Sequence, residues 1–247
     1  MAKANALDLE FSDSQWITMG DHSELYLTTG DFTIEYWLRT EQRYGWDGWV
    51  TTFLGSPPYP GWTLGLNDAQ KPVFRVYDGA AWHNLAGDTT TVLDETWYHI
   101  AVTYDDSETT AKVWVDGTLE GTDASYPSPA GDTGCNLIVG GNQGGQYCDG
   151  DIQCVRISNT LRYTSNFTPA TSLFNNDANT LGLWWFDDNL TDQSTNSFNG
   201  SLGGGGSEVY VEGTLDEAIP PVTGQYLAPS KYWCVIAGLI IPAFGIV

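Results

Sequence analysis

The chain is written as short apolar runs, each closed off by turn-forming residues, and this punctuation limits the fold more than any other feature. "ALDLEF", "QWITMG" and "DFTIEYWLRT" open it, and "WVTTFLG", "GWTLGLN" and "KPVFRVYDG" follow. "WYHIAVTYD", "TAKVWVDGTLEG", "NLIVGGN", "GDIQCVRIS" and "TLGLWWFDD" complete the set. Many of the runs alternate with a period of two. In "AKVWVDG", Val113 and Val115 share one face, and Lys112, Trp114 and Asp116 share the other, as a strand with one face on a core requires. The step Asp116-Gly117 between two such runs marks a tight hairpin turn. Runs of this length and spacing predict an all-β fold, a sandwich of two antiparallel sheets. Helix is expected at most as one turn near "SNTLRYTSNF".

With 247 residues, 11 Trp and 13 Tyr, the chain can bury a substantial core. Its charge excludes some partners. Nine basic residues against 31 acidic ones leave a net charge of -22, with no basic stripe for the phosphates of a nucleic acid or for anionic lipid. The same surplus suits solubility and the capture of divalent cations.

The start, "MAKANALDLEFSDSQW", has no apolar signal-peptide core. The expected locations are therefore the cytoplasm, or a virion or extracellular surface reached without a cleaved signal. The four cysteines, Cys135, Cys148, Cys154 and Cys234, fit no zinc spacing. Cys135 and Cys154 flank a Gly-rich loop and could pair across a hairpin; buried thiols are the favoured alternative.

Four stretches occur in a telling order: "DFTIEYWLRT" (31–40), "WYHIAVTYDD" (97–106), "AKVWVDGTLEG" (111–121) and "CDGDIQCVRISNTLRY" (148–163). Together they resemble the laminin-G-like, concanavalin A-like lectin/glucanase family. The opening "ALDLEFSDSQWITMG" and the later "LGLWWFDDNLTDQSTNSFNGSL" are similar to that family's paired terminal strands. The resemblance spans roughly residues 4–202 and implies a jelly-roll sandwich. It also implies a structural role for His99. The run "RISNTLRYTSNFTP" resembles laminin-G-like domains of phage structural proteins. Cys148 and Cys154 depart from the pattern, standing where the family more often has an aromatic and an acidic residue.

Catalysis is not expected. The glucanases of this fold class carry a Glu-x-Asp-x-x-Glu strand, and this sequence has none. Calcium is a candidate cofactor, since the resemblance implies binding at loop edges. Its candidate ligands are Asp149 and Asp151 in "CDGD" and Asp187, Asp188 and Asp192 in "FDDNLTDQS"; the alternative is that these residues only form turns. Tyr44, Trp46, Trp49, Tyr59 and Trp62, in segments that read as loops, are candidate sugar platforms. The alternative is that they cover the sandwich ends or meet a neighbouring subunit.

The expected organisation is a sandwich over 1–202, a Gly-rich linker and extended arm over 203–231, and an apolar segment over 232–247. That last segment has no charged side chain. Its Trp233, Val235, Ile236, Leu239, Ile240, Ile241 and Phe244 read as an extended strand donated to other copies of the chain or to other assembly subunits. Packing onto its own sandwich and a membrane anchor are the competing readings; for a span the segment is short. The function expected is a displayed, non-catalytic domain tethered by its arm to a virion or extracellular filament. The alternative is a carbohydrate-binding module, with or without calcium.

Overall fold

The computed structural model describes residues 2–41, 47–52, 61–131, 134–141 and 147–217, with the backbone of 235–236 and 239–240. In chain order the strands are β1 (Lys3–Leu9), β2 (Trp16–Asp21), β3 (Phe32–Thr40), β4 (Asp47–Thr51), β5 (Gly61–Leu66) and β6 (Pro72–Tyr77). They continue as β7 (Trp82–Ala86), β8 (Trp97–Asp105), β9 (Thr110–Val115), β10 (Thr118–Asp123), β11 (Asn136–Val139) and β12 (Gly150–Ser158). The last are β13 (Thr180–Trp184), β14 (Ser201–Gly203), β15 (Val209–Asp216), β16 (Val235–Ile236) and β17 (Leu239–Ile240).

Two antiparallel sheets face each other. One has eight strands in the order β10-β9-β8-β3-β12-β1-β15, with β13 also paired to β12; the other has seven, in the order β14-β2-β11-β4-β5-β6-β7. The alternation read from the sequence fills the space between them. Leu7, Leu9, Ile34, Leu38, Ile100, Val102, Val113 and Ile152 come from the first sheet, and Ile17, Leu64, Phe74, Val76 and Val139 from the second. The Tyr36 hydroxyl donates across the gap to the Leu64 carbonyl.

Asp116 and Gly117 form the expected two-residue turn, both at positive φ, and Val115 pairs with Thr118 beyond it. No helix forms at "SNTLRYTSNF", which is a bent segment. Instead it covers the outer face of the eight-stranded sheet. Tyr163 stacks on Phe167 with centroids 3.5 Å apart, and Phe167 meets Trp114 at 5.9 Å. That cover is why Trp114, Thr103 and Glu35 are buried although they alternate with core positions.

The sandwich also runs past residue 202. β15 pairs along β1 from Asp8↔Val209 to Lys3↔Asp216. At the bulge in that pairing, the Gln153 amide donates to the Ala4 and Asn5 carbonyls and accepts from the Thr214 and Leu215 amides. The glycine run that reads as a loose joint is packed: Gly205 N–H donates to the Asp13 carbonyl, and a Cβ on Gly204 would collide with the Ser14 carbonyl. The glycines allow close backbone approach here instead of slack. The expected linker over 203–231 is thus corrected up to Asp216, and residues 218–231 lie outside the described residues. In the terminal segment the backbone of Val235–Ile236 pairs antiparallel with that of Leu239–Ile240.

Cys135 and Cys154 are not joined. Cys135 leads into β11 of the seven-stranded sheet, while Cys154 lies in the eight-stranded sheet, in a separate outer cluster with Leu173, Phe174 and Leu183. Cys148 is buried, and Cys234 lies outside the described residues.

Candidate functional site

Strand register builds a charged row across the outer face of the eight-stranded sheet. Asp8 of β1 stands opposite Asp151 of β12, Asp151 opposite Arg39 of β3, and Arg39 opposite Trp97 of β8. Leu7, Leu9, Ile152 and Leu38, the alternating partners, point into the core, so these four must point out. Arg39 donates from Nε to Asp151 Oδ2, and its guanidinium carbon lies 5.7 Å from the Trp97 ring centroid. Glu41 follows directly after β3, and its N–H donates 3.0 Å to the Asp149 carbonyl.

The carboxylates of Asp8, Glu41 and Asp151 bring one oxygen each to within 4.8 Å of one another. Asp151 is fully buried, and its Oδ1 and the Oδ1 of Asp8 have no hydrogen-bond partner. Burial pushes the Asp8 carboxyl up from its ordinary value, and the neighbouring Asp151 adds to the rise. Asp151 is raised by burial against the opposing pull of Arg39, and Glu41 by burial and then by Asp151. The cluster is therefore short of positive charge.

Of the acidic residues nominated from sequence, Asp151 alone enters this cluster. Asp149 Oδ1 instead accepts the Phe11 N–H at 3.0 Å. Asp192 is a turn hub: Oδ1 accepts from Leu183 N and Ser194 N, and Oδ2 from Phe198 N and Ser194 Oγ. Its oxygens are already used, which removes it as a ligand. Asp187 and Asp188 accept from the backbone N–H and the side-chain amide of Asn5, tying β1 to the turn after β13. Asp8 and Glu41 were missed from sequence. The available signal was Asp8 itself, a charge inside the alternating run "ALDLEF".

The aromatic nominations divide as well. Trp49 and Trp62 are completely buried in the core, and Trp62 Nε1 donates to the Leu25 carbonyl, so neither can stack on a sugar. Both lie on strands, where their bulk fills the space between the sheets. Tyr44, Trp46 and Tyr59 lie outside the described residues. A different aromatic group stands on the outer face of the seven-stranded sheet. Tyr77 of β6 pairs with Trp82 of β7, ring centroids 5.4 Å apart. The Arg75 guanidinium lies 4.7 Å from the Trp82 centroid, and its Nε donates to exposed Asn84 at 2.7 Å.

A third group is closed. Glu35 receives Arg156 Nε and Nη2 at 2.8 and 2.6 Å and the Tyr163 hydroxyl at 2.6 Å, and its Oε2 lies 3.1 Å from His99 Nε2. Burial alone would raise this carboxyl, but the contacts with His99, Arg156 and Tyr163 outweigh it and hold it at about 2. Glu35 and His99 have no exposed surface, as the structural reading of His99 implies.

These features define a laminin-G-type jelly-roll sandwich with two outward-facing polar groups, one on each sheet. A laminin-G model described as "Concanavalin A-like lectin/glucanases superfamily" matches residues 11–166, and the chain belongs to that superfamily. No curated protein sequence matches. Among solved structures the chain is similar to a candidate carbohydrate binding protein from Bacteroides ovatus, with TM-score 0.63 and 15% identity over 87% of this chain and 61% of that one. It is also similar to a heptameric SAP-like pentraxin from Limulus polyphemus, with TM-score 0.50 and 8% identity over 85% of this chain and 95% of that one. Domains LG4-5 of mouse laminin alpha1 align with TM-score 0.48 and 16% identity over 68% of this chain and 47% of that one. The chain thus spans less than two thirds of the Bacteroides protein's length, and at these identities the likeness is one of fold. Among the described residues no helix is long and apolar enough to cross a membrane.

Proposed function

We propose that the chain is a non-catalytic, carbohydrate-binding-type domain whose sugar platform is the outer face of the β6–β7 hairpin. The observation that carries this reading is the grouping of Tyr77, Trp82, Arg75 and Asn84 on the outward side of one hairpin, Asn84 exposed and the other three half-buried. Sugar rings offer apolar C–H faces ringed by hydroxyls. Aromatic rings meet the first, and a guanidinium and an amide in fixed positions meet the second. β7 is the edge strand of its sheet, so a glycan chain can approach from that side. The likeness to a candidate carbohydrate binding protein agrees with this reading.

The non-catalytic part rests on the carboxylates. Glycoside hydrolysis needs an acid and a base or nucleophile that both reach the scissile bond. Asp151 is fully buried beneath Arg39, and Glu35 is sealed under Tyr163. Binding of a glycan panel by the intact chain, compared with Trp82→Ala and Tyr77→Ala, tests the reading. Loss of binding in folded variants supports it, and binding unchanged in both refutes it.

A second reading concerns the tail. Residues 232–247 carry no charge, and within them the backbone of Val235–Ile236 pairs with that of Leu239–Ile240. Such an apolar sequence, left in water, invites association. It would tether the domain to a virion or an extracellular filament, leaving the acidic sandwich displayed. Light scattering and electron microscopy of the full chain against one ending at Glu217 test this. Assemblies confined to the full chain support it, and two monomers refute it.

A further inference from the structure

We infer that Asp8, Glu41 and Asp151 form a binding site for a divalent, oxygen-seeking cation of the calcium class at the rim of the eight-stranded sheet. The argument starts from register. β1 and β12 set Asp8 against Asp151, and β3 ends so that Glu41 closes the third side. One oxygen from each converges within 4.8 Å.

Acidic clusters are common on a protein with this charge, and most are solvated. This one differs in a particular way. Asp151 is entirely buried, Arg39 takes its Oδ2, and its Oδ1 is left without a donor beside the equally unpartnered Oδ1 of Asp8. Buried polar atoms are nearly always paired, so two orphaned carboxylate oxygens mark a missing electropositive partner. The guanidinium of Arg39 does not supply it. It is already committed to Asp151 and stands 4.0 Å from both Glu41 and Glu95.

The donor set selects the ion. The three ligating side chains are all carboxylates, with neither His nor Cys among them, which disfavours zinc and copper. Calcium takes six to eight oxygens in irregular geometry and tolerates an uneven strand rim, whereas magnesium demands a near-regular octahedron. A bound ion would join β1 to β12 and to the end of β3. It would fix the N-terminal strand without touching the β6–β7 face, so the site stands or falls apart from the sugar reading.

The test uses the full chain, stripped with chelator and titrated with calcium chloride by calorimetry, with thermal unfolding followed in parallel. Saturable binding is expected, with a rise in Tm and weaker binding of magnesium. Asp8→Asn and Glu41→Gln should each weaken calcium binding by about tenfold or more, because affinity follows ligand charge. Asp187→Asn, whose carboxylate is committed elsewhere, should leave it unchanged. Should Asp8→Asn fail to fold, exposed Glu41 still carries the test. Absence of saturable calcium binding up to millimolar concentration would overturn the inference, as would binding that survives both variants. So would a stripped chain indifferent to calcium but stabilised as the pH falls from 7 to 5, since the cluster would then hold a shared proton instead of a metal.

Discussion

A methyl group on Gly117 would collide with the Phe167 carbonyl, and φ there is +75°, so no other residue fits the turn. Gly117→Ala should cost on the order of 1–3 kcal/mol or more, and urea denaturation reads it. This residue was legible because Asp-Gly between alternating runs has a single local meaning. Glu35 was not. A charge at that position reads as solvent-facing until the 159–175 segment folds over it and Arg156 meets it, and both contacts come from more than a hundred residues away. Its consequence for pH follows from sign. The folded carboxyl, at about 2, lies below its ordinary 4.5. The stabilisation is therefore complete above about pH 4.5 and is lost as the pH falls toward 2; it amounts to roughly 3 kcal/mol. Glu35→Gln should be less stable at pH 7, where it leaves Arg156 buried without its anion. It should also lose less than the parent between pH 4.5 and 2.5. Equal losses in the two proteins would contradict this account.

Among the elements, the strands of the core were readable because alternation is a local record of which face is buried. β15 was read as part of a linker and extended arm, because "VYVEGTLD" is half-exposed and follows four glycines. What makes it a strand is β1 alongside and the Gln153 amide at the bulge, neither of which lies nearby in sequence. The same gap explains Trp49 and Trp62: each stands where a segment rich in Gly, Pro and aromatics meets an apolar run, "WVTTFLG" or "GWTLGLN", and both residues sit on the strand side of that boundary. Truncation distinguishes the two boundaries. A chain ending at Glu217 should keep the melting temperature of the full sandwich, and one ending at Leu202 should fall by about 5 °C or more. Equal melting temperatures would restore the shorter domain. Calcium, if bound at Asp8, Glu41 and Asp151, should shift the Leu202 truncation less than the Glu217 one, because β15 supports the strand that carries Asp8.

As a whole molecule, the chain places an acidic rim on one sheet and an aromatic, guanidinium-bearing face on the other, with an uncharged tail beyond β15. The superfamily was legible from four ordered motifs, since strand sequences that pair into one sheet keep their order. The sugar-facing residues were not: Tyr77 and Trp82 become neighbours only through the β6–β7 register, and a lone aromatic in a strand reads as core. The central claim is glycan recognition by that face. It is tested most directly by a glycan panel probed with the intact chain and with Trp82→Ala, after circular dichroism has shown that both are folded. The account predicts selective binding by the parent chain and at least about tenfold weaker binding by the variant, in keeping with the loss of a central aromatic contact. Equal binding by the two proteins, or none by either, would contradict it.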